Sequence, residues 1–152
     1  MEKLDRGEGA YRIEDGYRLE KVITGLSYPT NITFDPDGSM YYSEAGFTYP
    51  FIYKEARICR LAAGNEPEVI AEGFNGPLIG LRWHEGGFLV THRGTLSRVE
   101  PDGTITHLIE NLPAFGDHHT NHLVMRDGKV YFGQGTVTNT AIVGSDNLTT
   151  GS

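Results

Sequence analysis

Three of the six histidines in this 152-residue chain fall within residues 115–123, beside a carboxylate. They are His118, His119 and His122, and Asp117 directly precedes the first of them. Histidine titrates near neutral pH and a neighbouring carboxylate can fix its tautomer, so this segment could supply a general base. The histidines could also bind a metal ion, but the His-Glu-X-X-His pattern of helical zinc sites is absent. Any one of them could simply hydrogen-bond a loop, whereas the cluster as a whole favours a functional site.

A second set of polar residues lies at one fixed offset from a turn. Glu44, His92 and Gln134 each stand six residues after a glycine that follows an acidic residue. In a repeated structure, equal offsets place side chains at equal heights, so these three could surround one mouth of the assembly. Each could equally end its strand by binding a neighbouring loop, and the sequence leaves both interpretations open.

The elements around these residues form an internal repeat. Each unit has an apolar strand, a glycine turn and a second apolar strand, and the second strands align without gaps at 38–44, 86–92 and 128–134. Third strands recur at 58–61 and 96–99, and fourth strands recur at 69–70 and 108–109. Four strands per unit, at a period of about 40–50 residues, are typical of propeller blades. The sequence therefore predicts an all-β fold, with two and a half to three four-stranded blades of a β-propeller.

The repeat also predicts the domain organisation. We expect an N-terminal tail, a partial propeller domain and a C-terminal tail, at 1–16, 17–147 and 148–152. Within the domain we expect an outer strand and three blades, at 17–24 and then at about 28–73, 77–112 and 118–147. Residues 47–56 are inserted between the second and third strands of the first blade. Because known propellers have about 4–8 blades, the remaining blades should come from a longer chain, which we favour, or from a second copy.

Composition excludes several classes of function. The 20 acidic residues outnumber the 13 basic ones, and the net charge of −7 argues against nucleic acid as a partner. No stretch approaches the roughly 20 apolar residues that span a membrane, and the first residues do not resemble a signal peptide. These features indicate a soluble protein and leave its localisation open. The single cysteine, Cys59, excludes an internal disulfide.

Several motifs resemble the glucose/sorbosone dehydrogenase family, whose members are soluble aldose dehydrogenases that use pyrroloquinoline quinone. The most specific motif is Asp117-His118 with Leu123, and further matching segments lie at 28–34, 43–46, 127–131, 133–139 and 143–144. The resemblance covers about residues 17–147. It implies a six-bladed propeller that holds the quinone and a calcium ion at one mouth and oxidises an aldose sugar.

The resemblance also implies roles for individual residues. His118 takes the place of the histidine that accepts the proton of the anomeric hydroxyl while hydride passes to the quinone, and Asp117 could orient it. Predicted cofactor contacts are His119, Gln134 and Asn139, and predicted sugar contacts are Asn121, His122 and His92. No metal ligand is predicted in this chain, because the family's calcium ligands and basic quinone contacts belong to later blades. The family often has Gly-Arg where this chain has Asn121-His122.

Two other classes of function are possible. A non-catalytic propeller could bind a protein or a carbohydrate, and residues 47–54, with four aromatic side chains, would be its contact site. A calcium-dependent lactonase would need acidic and asparagine ligands that converge on the channel. Only Glu44 is well placed for that role, so the lactonase ranks last.

Overall fold

A computed structural model describes residues 11–48, 52–62, 66–114 and 119–135 of the chain. Within these ranges every regular element is a β-strand. The described residues contain no helix that is long and apolar enough to cross a membrane. The all-β prediction is therefore confirmed.

The first sheet has four antiparallel strands and corresponds to the blade predicted at 28–73. Its strands are β1 (Pro29–Phe34), β2 (Met40–Glu44), β5 (Arg57–Leu61) and β6 (Pro67–Glu72), in the spatial order β1-β2-β5-β6. A short hairpin lies between β2 and β5 and is formed by β3 (Phe47–Thr48) and β4 (Ile52–Tyr53). This hairpin falls in the predicted insertion.

The second sheet repeats the same arrangement at the predicted position. It contains β7 (Leu78–His84), β8 (Gly87–His92), β9 (Thr95–Val99) and β10 (Ile105–Ile109), in the order β10-β9-β8-β7. The third sheet has two described strands, β11 (Thr120–Arg126) and β12 (Lys129–Gln134). Two of the three predicted blades are thus complete in the described residues.

The acidic-glycine pairs form the tight turns that the repeat predicts. Glu85 and Gly86 have φ of 45° and 77°, and Asp127 and Gly128 have φ of 50° and 68°. Two successive positive φ values are typical of type I′ hairpin turns, whose twist matches that of the strands they join. These turns set the register in which β7 pairs with β8 and β11 pairs with β12.

Neighbouring sheets pack face to face. Tyr41 of the first sheet stacks on Trp83 and meets Phe88 edge-on, with ring centroids 5.5 and 4.8 Å away. Leu89 of the second sheet lies in one buried cluster with Leu123 of the third. These contacts stack the sheets in sequence order around β1, β7 and β11, which touch in that order.

The faces at the two ends of this stack are uncovered in the described part of the chain. Ile32 and Leu81 occupy equivalent positions in the first strands of their sheets, opposite the same position of the second strand. Ile32 is 58% exposed, whereas Leu81 is buried. At the other end, Val124 and Tyr131 are 62% and 51% exposed. The apolar residues that fill the contacts between sheets are therefore repeated on two faces open to solvent.

The outer strand predicted at 17–24 forms no hydrogen-bonded strand in the structure. Tyr17, Leu19 and Val22, three of its apolar side chains, are exposed. A strand exists only through pairing, and its predicted partner, the last blade of a ring, is not among the described sheets. The pairing is therefore not observed, and the predicted domain boundaries stay predictions.

Candidate functional site

The ends of three strand pairs meet at one mouth of the stack. Each first strand begins opposite the last residue of the second strand, and these pairs are Pro29 with Glu44, Leu78 with His92, and Thr120 with Gln134. The predicted set Glu44, His92 and Gln134 therefore occupies equivalent positions in the three sheets. The links that join one blade to the next lie at the same end.

Glu44 fastens the N-terminal link to the first sheet. Its buried carboxylate accepts hydrogen bonds from the Ser27 backbone N–H and from Arg57 Nε, both at 2.5 Å. The bond to Glu44 raises the pKa of the Arg57 guanidinium above its usual value. Both carboxylate oxygens are thus engaged inside the first blade.

His92 belongs to a buried polar network that crosses the second sheet. Its Nε2 lies 2.8 Å from Ser97 Oγ on β9, and the same hydroxyl lies 2.9 Å from Nδ1 of the exposed His107 on β10. The ring of Phe74 meets the His92 imidazole edge-on at 5.4 Å. Burial lowers the pKa of His92 to about 4, with a further lowering from His107. His92 is therefore neutral at neutral pH.

Gln134 holds the start of the third inner strand. Its Oε1 accepts a hydrogen bond from Thr120 Oγ1 at 3.0 Å, and its Nε2 donates to the Pro113 carbonyl. Thr120 Oγ1 in turn accepts the Gly94 N–H at 3.2 Å. Glu44 and Gln134 thus bind links between elements, whereas His92 binds a strand of its own sheet. The predicted sugar contact of His92 and cofactor contact of Gln134 stay predictions.

The histidine segment is described from His119 onward. Asp117 and His118, the predicted base pair, and Asn139, a predicted cofactor contact, lie outside the described residues and stay predictions. His119 is buried, its carbonyl accepts the Gly135 N–H at 3.0 Å, and its Nε2 lies 3.5 Å from Arg93 Nη2. The second blade therefore holds the end of the segment through a cation.

His122 reaches across the stack to the first blade. Asn31 Nδ2 on β1 lies 3.0 Å from His122 Nδ1 on β11, although 91 residues separate them. The amide of Asn31 is oriented because its Oδ1 accepts the Ile32 N–H at 2.8 Å, so Nδ2 is the group that faces the imidazole. An amide nitrogen only donates, so His122 Nδ1 accepts this hydrogen bond and the ring carries its proton on Nε2. His122 is exposed and presents that N–H to solvent.

Asn121, the other predicted sugar contact, takes part in packing between blades. Its carbonyl accepts a hydrogen bond from Thr91 Oγ1 at 2.7 Å. Gly80 lies so close that a Cβ there would be 2.2 Å from Thr91 Oγ1 and 3.4 Å from the Asn121 carbonyl oxygen. The Asn121 side chain packs over Gly133.

Sequence reasoning missed Asn31, Arg93, Ser97 and Thr120. Asn31 and Arg93 contact histidines of a different blade, and no sequence spacing reports such pairs. Arg93 carried a weak signal, since it directly follows the repeat position of His92. Ser97 and Thr120 are short polar residues in apolar strands, which is the pattern of a buried hydrogen bond.

An open pocket of about 680 Å³ lies beside Arg93 at this mouth. Its polar lining includes Asn75, His92, Arg93, His107 and Asn111. Together with Glu110 in the same lining, these side chains offer hydrogen-bond donors and acceptors, one arginine cation and one carboxylate, a set that suits a hydroxyl-rich molecule.

The implied cofactors need ligands that the described residues do not supply. Calcium takes about 6–8 oxygen ligands, and no cluster of three or more His, Cys, Asp or Glu in the described part of the chain could hold a metal. The quinone carries several carboxylates and needs several cations, whereas the described lining of the pocket supplies one, Arg93, and Arg57 is paired with Glu44. The described residues alone therefore do not fit the quinone or the calcium ion.

Comparison with known proteins confirms the propeller fold. A gluconolactonase from Xanthomonas campestris, described as important in glucose secondary metabolic pathways, matches with a TM-score of 0.55 and 15% sequence identity. The match covers 74% of this chain and 37% of that protein, so the chain spans just over a third of its length. No protein-family model matches the chain, and no curated protein matches it. At this identity the likeness shows the fold, and the resemblance to glucose/sorbosone dehydrogenases stays a prediction.

Proposed function

We propose that this chain forms one side of the mouth of a propeller enzyme that oxidises an aldose sugar. The observation that carries the proposal is the bond between His122 on β11 and Asn31 on β1. Because β11 begins within the histidine segment, at Thr120, this bond anchors the C-terminal part of the segment where three inner strands converge. The resemblance to glucose/sorbosone dehydrogenases supports the same reaction.

The hydrogen bonds of the segment favour His118 as the base. Oxidation at the anomeric carbon removes a hydroxyl proton and a hydride, and a neutral imidazole can take the proton. A neutral imidazole has one acceptor nitrogen. In His119 that nitrogen faces Arg93 Nη2, and in His122 it accepts from Asn31 Nδ2. Of the three histidines, His118 is therefore the best candidate base, while the Nε2–H of His122 suits a donor to a sugar oxygen.

The hydride acceptor implied by the resemblance is pyrroloquinoline quinone bound with calcium. When bound, the quinone would supply the two-electron acceptor of the reaction. The groups that hold it would have to come from elsewhere in the whole protein, since the described residues do not fit it. This chain would contribute the proton acceptor and the sugar contacts.

Hydrolysis of a sugar lactone is the second candidate. The structural neighbour is named a gluconolactonase, and lactone hydrolysis likewise needs a base, here to activate water. Glu44 is a poor metal ligand for this reaction, because both carboxylate oxygens already accept hydrogen bonds from Ser27 and Arg57. The fold supports both reactions comparably, and the resemblance of the Asp117-His118 motif is the reason to name oxidation first.

One experiment separates the two reactions. The full-length protein that contains this chain would be supplied with quinone and calcium, then assayed for aldose-dependent dye reduction and for acid release from lactones. We expect dye reduction, and we expect His118→Gln to lower kcat by about a hundredfold or more. His84→Gln is the matched control, because His84 ends β7 away from this mouth.

The outcomes differ clearly. Acid release without dye reduction would replace oxidation by the second candidate. Dye reduction that is undiminished in His118→Gln would remove the assigned base. The absence of both activities would refute a sugar-processing enzyme.

A further inference from the structure

We propose that Arg93 is a positioning residue that holds the ring of His119 in a single neutral tautomer. Arg93 follows β8 at the turn that leads into β9, and His119 directly precedes β11. The two side chains therefore join the second blade to the third. Only the kinetic part of the test below rests on the proposed function.

The backbone around Arg93 is clamped from both sides. The Arg93 N–H donates to the Asn75 carbonyl at 3.0 Å, and the Arg93 carbonyl accepts from Asn75 Nδ2 at 3.4 Å. The next carbonyl, that of Gly94, accepts the Leu112 N–H at 3.0 Å. Gly94 has φ of +71°, and a Cβ there would lie 2.9 Å from the Leu112 carbonyl oxygen, so the turn has little room to move. These hydrogen bonds therefore fix the backbone position of Arg93.

The same turn binds two successive residues of the third blade. Arg93 Nη2 lies 3.5 Å from His119 Nε2, and the Gly94 N–H donates to Thr120 Oγ1 at 3.2 Å. On its far side, His119 is held by the Gly135 N–H, which donates to the His119 carbonyl. His119 is 8% exposed, so bulk water cannot easily replace these contacts. The guanidinium of Arg93 therefore contacts the ring nitrogen of His119 from the neighbouring blade.

The chemistry of the pair determines the tautomer. A guanidinium is always protonated and only donates, so His119 Nε2 must accept. The ring is then neutral and carries its proton on Nδ1. An imidazolium in this place would bring two cations together. His122 carries its proton on the opposite nitrogen, so two histidines three residues apart are held in different tautomers by residues of two other blades.

Nitrogen-15 spectra of the imidazole rings test the tautomer on the chain itself. For His119 we expect an unprotonated Nε2 and a protonated Nδ1 at neutral pH in the wild type. In Arg93→Met we expect a mixture of the two tautomers, and in Arg93→Lys we expect the wild-type tautomer to dominate. Arg126→Met is the matched control, since Arg126 is exposed and pairs with the exposed Asp127 at 3.4 Å.

Three results would overturn the proposal. They are a proton on Nε2 in the wild type, an unchanged His119 tautomer in a folded Arg93→Met, and an equal change in Arg126→Met. If Arg93→Met does not fold, the wild-type and Arg93→Lys spectra decide.

The kinetic readout uses the full-length protein. A misplaced ring lowers catalytic efficiency, so we expect Arg93→Met to reduce kcat/KM by on the order of 10- to 100-fold, with partial recovery in Arg93→Lys. An inactive wild type would contradict the proposed function. The role of Arg93 would then be decided by the nitrogen-15 spectra of His119 alone. An active wild type with unchanged kcat/KM in Arg93→Met would contradict the positioning role.

Discussion

Acidification should destabilise this fold through one buried histidine. The pKa of His92 falls from 6.5 to about 4 on burial, so the folded state excludes a proton that the unfolded chain binds. A group with a lowered folded pKa contributes its full stability above pH 6.5 and loses it as the pH falls toward 4. The groups around it are the exposed His107, joined to it through Ser97, and Arg93 and Glu110, which line the same pocket.

The magnitude follows from the two pKa values. Each pKa unit corresponds to about 1.4 kcal/mol, so complete protonation removes roughly 3.5 kcal/mol from the free energy of unfolding. By pH 5 the loss is about 2 kcal/mol, because the unfolded histidine is then almost fully protonated and the folded one is not. Domains of this kind are stable by about 5–15 kcal/mol, so the effect is measurable.

Urea unfolding of the chain at pH 7 and pH 5 measures this loss. Carboxylates also contribute to acid destabilisation, so the informative quantity is the difference between the wild type and His92→Gln, which cannot titrate. We expect His92→Gln to be less stable at pH 7 but to lose about 2 kcal/mol less between the two pH values. Equal losses in both proteins would refute the reasoning, and His107→Gln is the control for the exposed partner.

Two further predictions concern contacts that hold the blades together. Gly80→Ala should destabilise the fold by about 1–3 kcal/mol, because its Cβ would displace the Thr91 hydroxyl from the Asn121 carbonyl. Urea unfolding of Gly80→Ala, Thr91→Ala and the double variant checks this. Strictly additive losses of stability would argue against a clash at the Thr91 hydroxyl. Glu44→Gln should cost about 1–3 kcal/mol by leaving Arg57 without its charged partner; a melting curve should show the loss, and a Tm equal to that of the wild type would contradict it.

The repeat made the strands predictable because each strand and turn is encoded locally. Alternating apolar residues and an acidic-glycine pair specify the two hairpins whose turns contain Gly86 and Gly128, independently of the surrounding structure. Residues 17–24 have a strand-like pattern too, but pairing requires a neighbour that the pattern does not supply.

The candidate site was predictable only in part. The histidines were visible as a cluster, yet their tautomers depend on Asn31 and Arg93, which come from two other blades. Those contacts arise from the packing of the sheets on one another, which the spacing along the sequence does not report. His92 was also predictable only in part. Its distance from the turn glycine placed it at one mouth of the stack, but did not indicate the hydrogen bond to Ser97 within its own sheet.

In the described part of the chain, the uncovered faces at the two ends of the stack are different surfaces, so the stack has a direction. Ile32 and Phe34 form its head, and Val124 and Tyr131 form its tail. Since the same repeat positions fill the contacts between blades, a head is shaped to receive a tail and not another head. Association of a head with a tail is heterologous. It forms a closed ring if the rotation from one blade to the next adds up to a full turn, and it continues as a fibre if it does not. Whatever covers the head, be it a later blade of a longer chain or another copy, must present a tail.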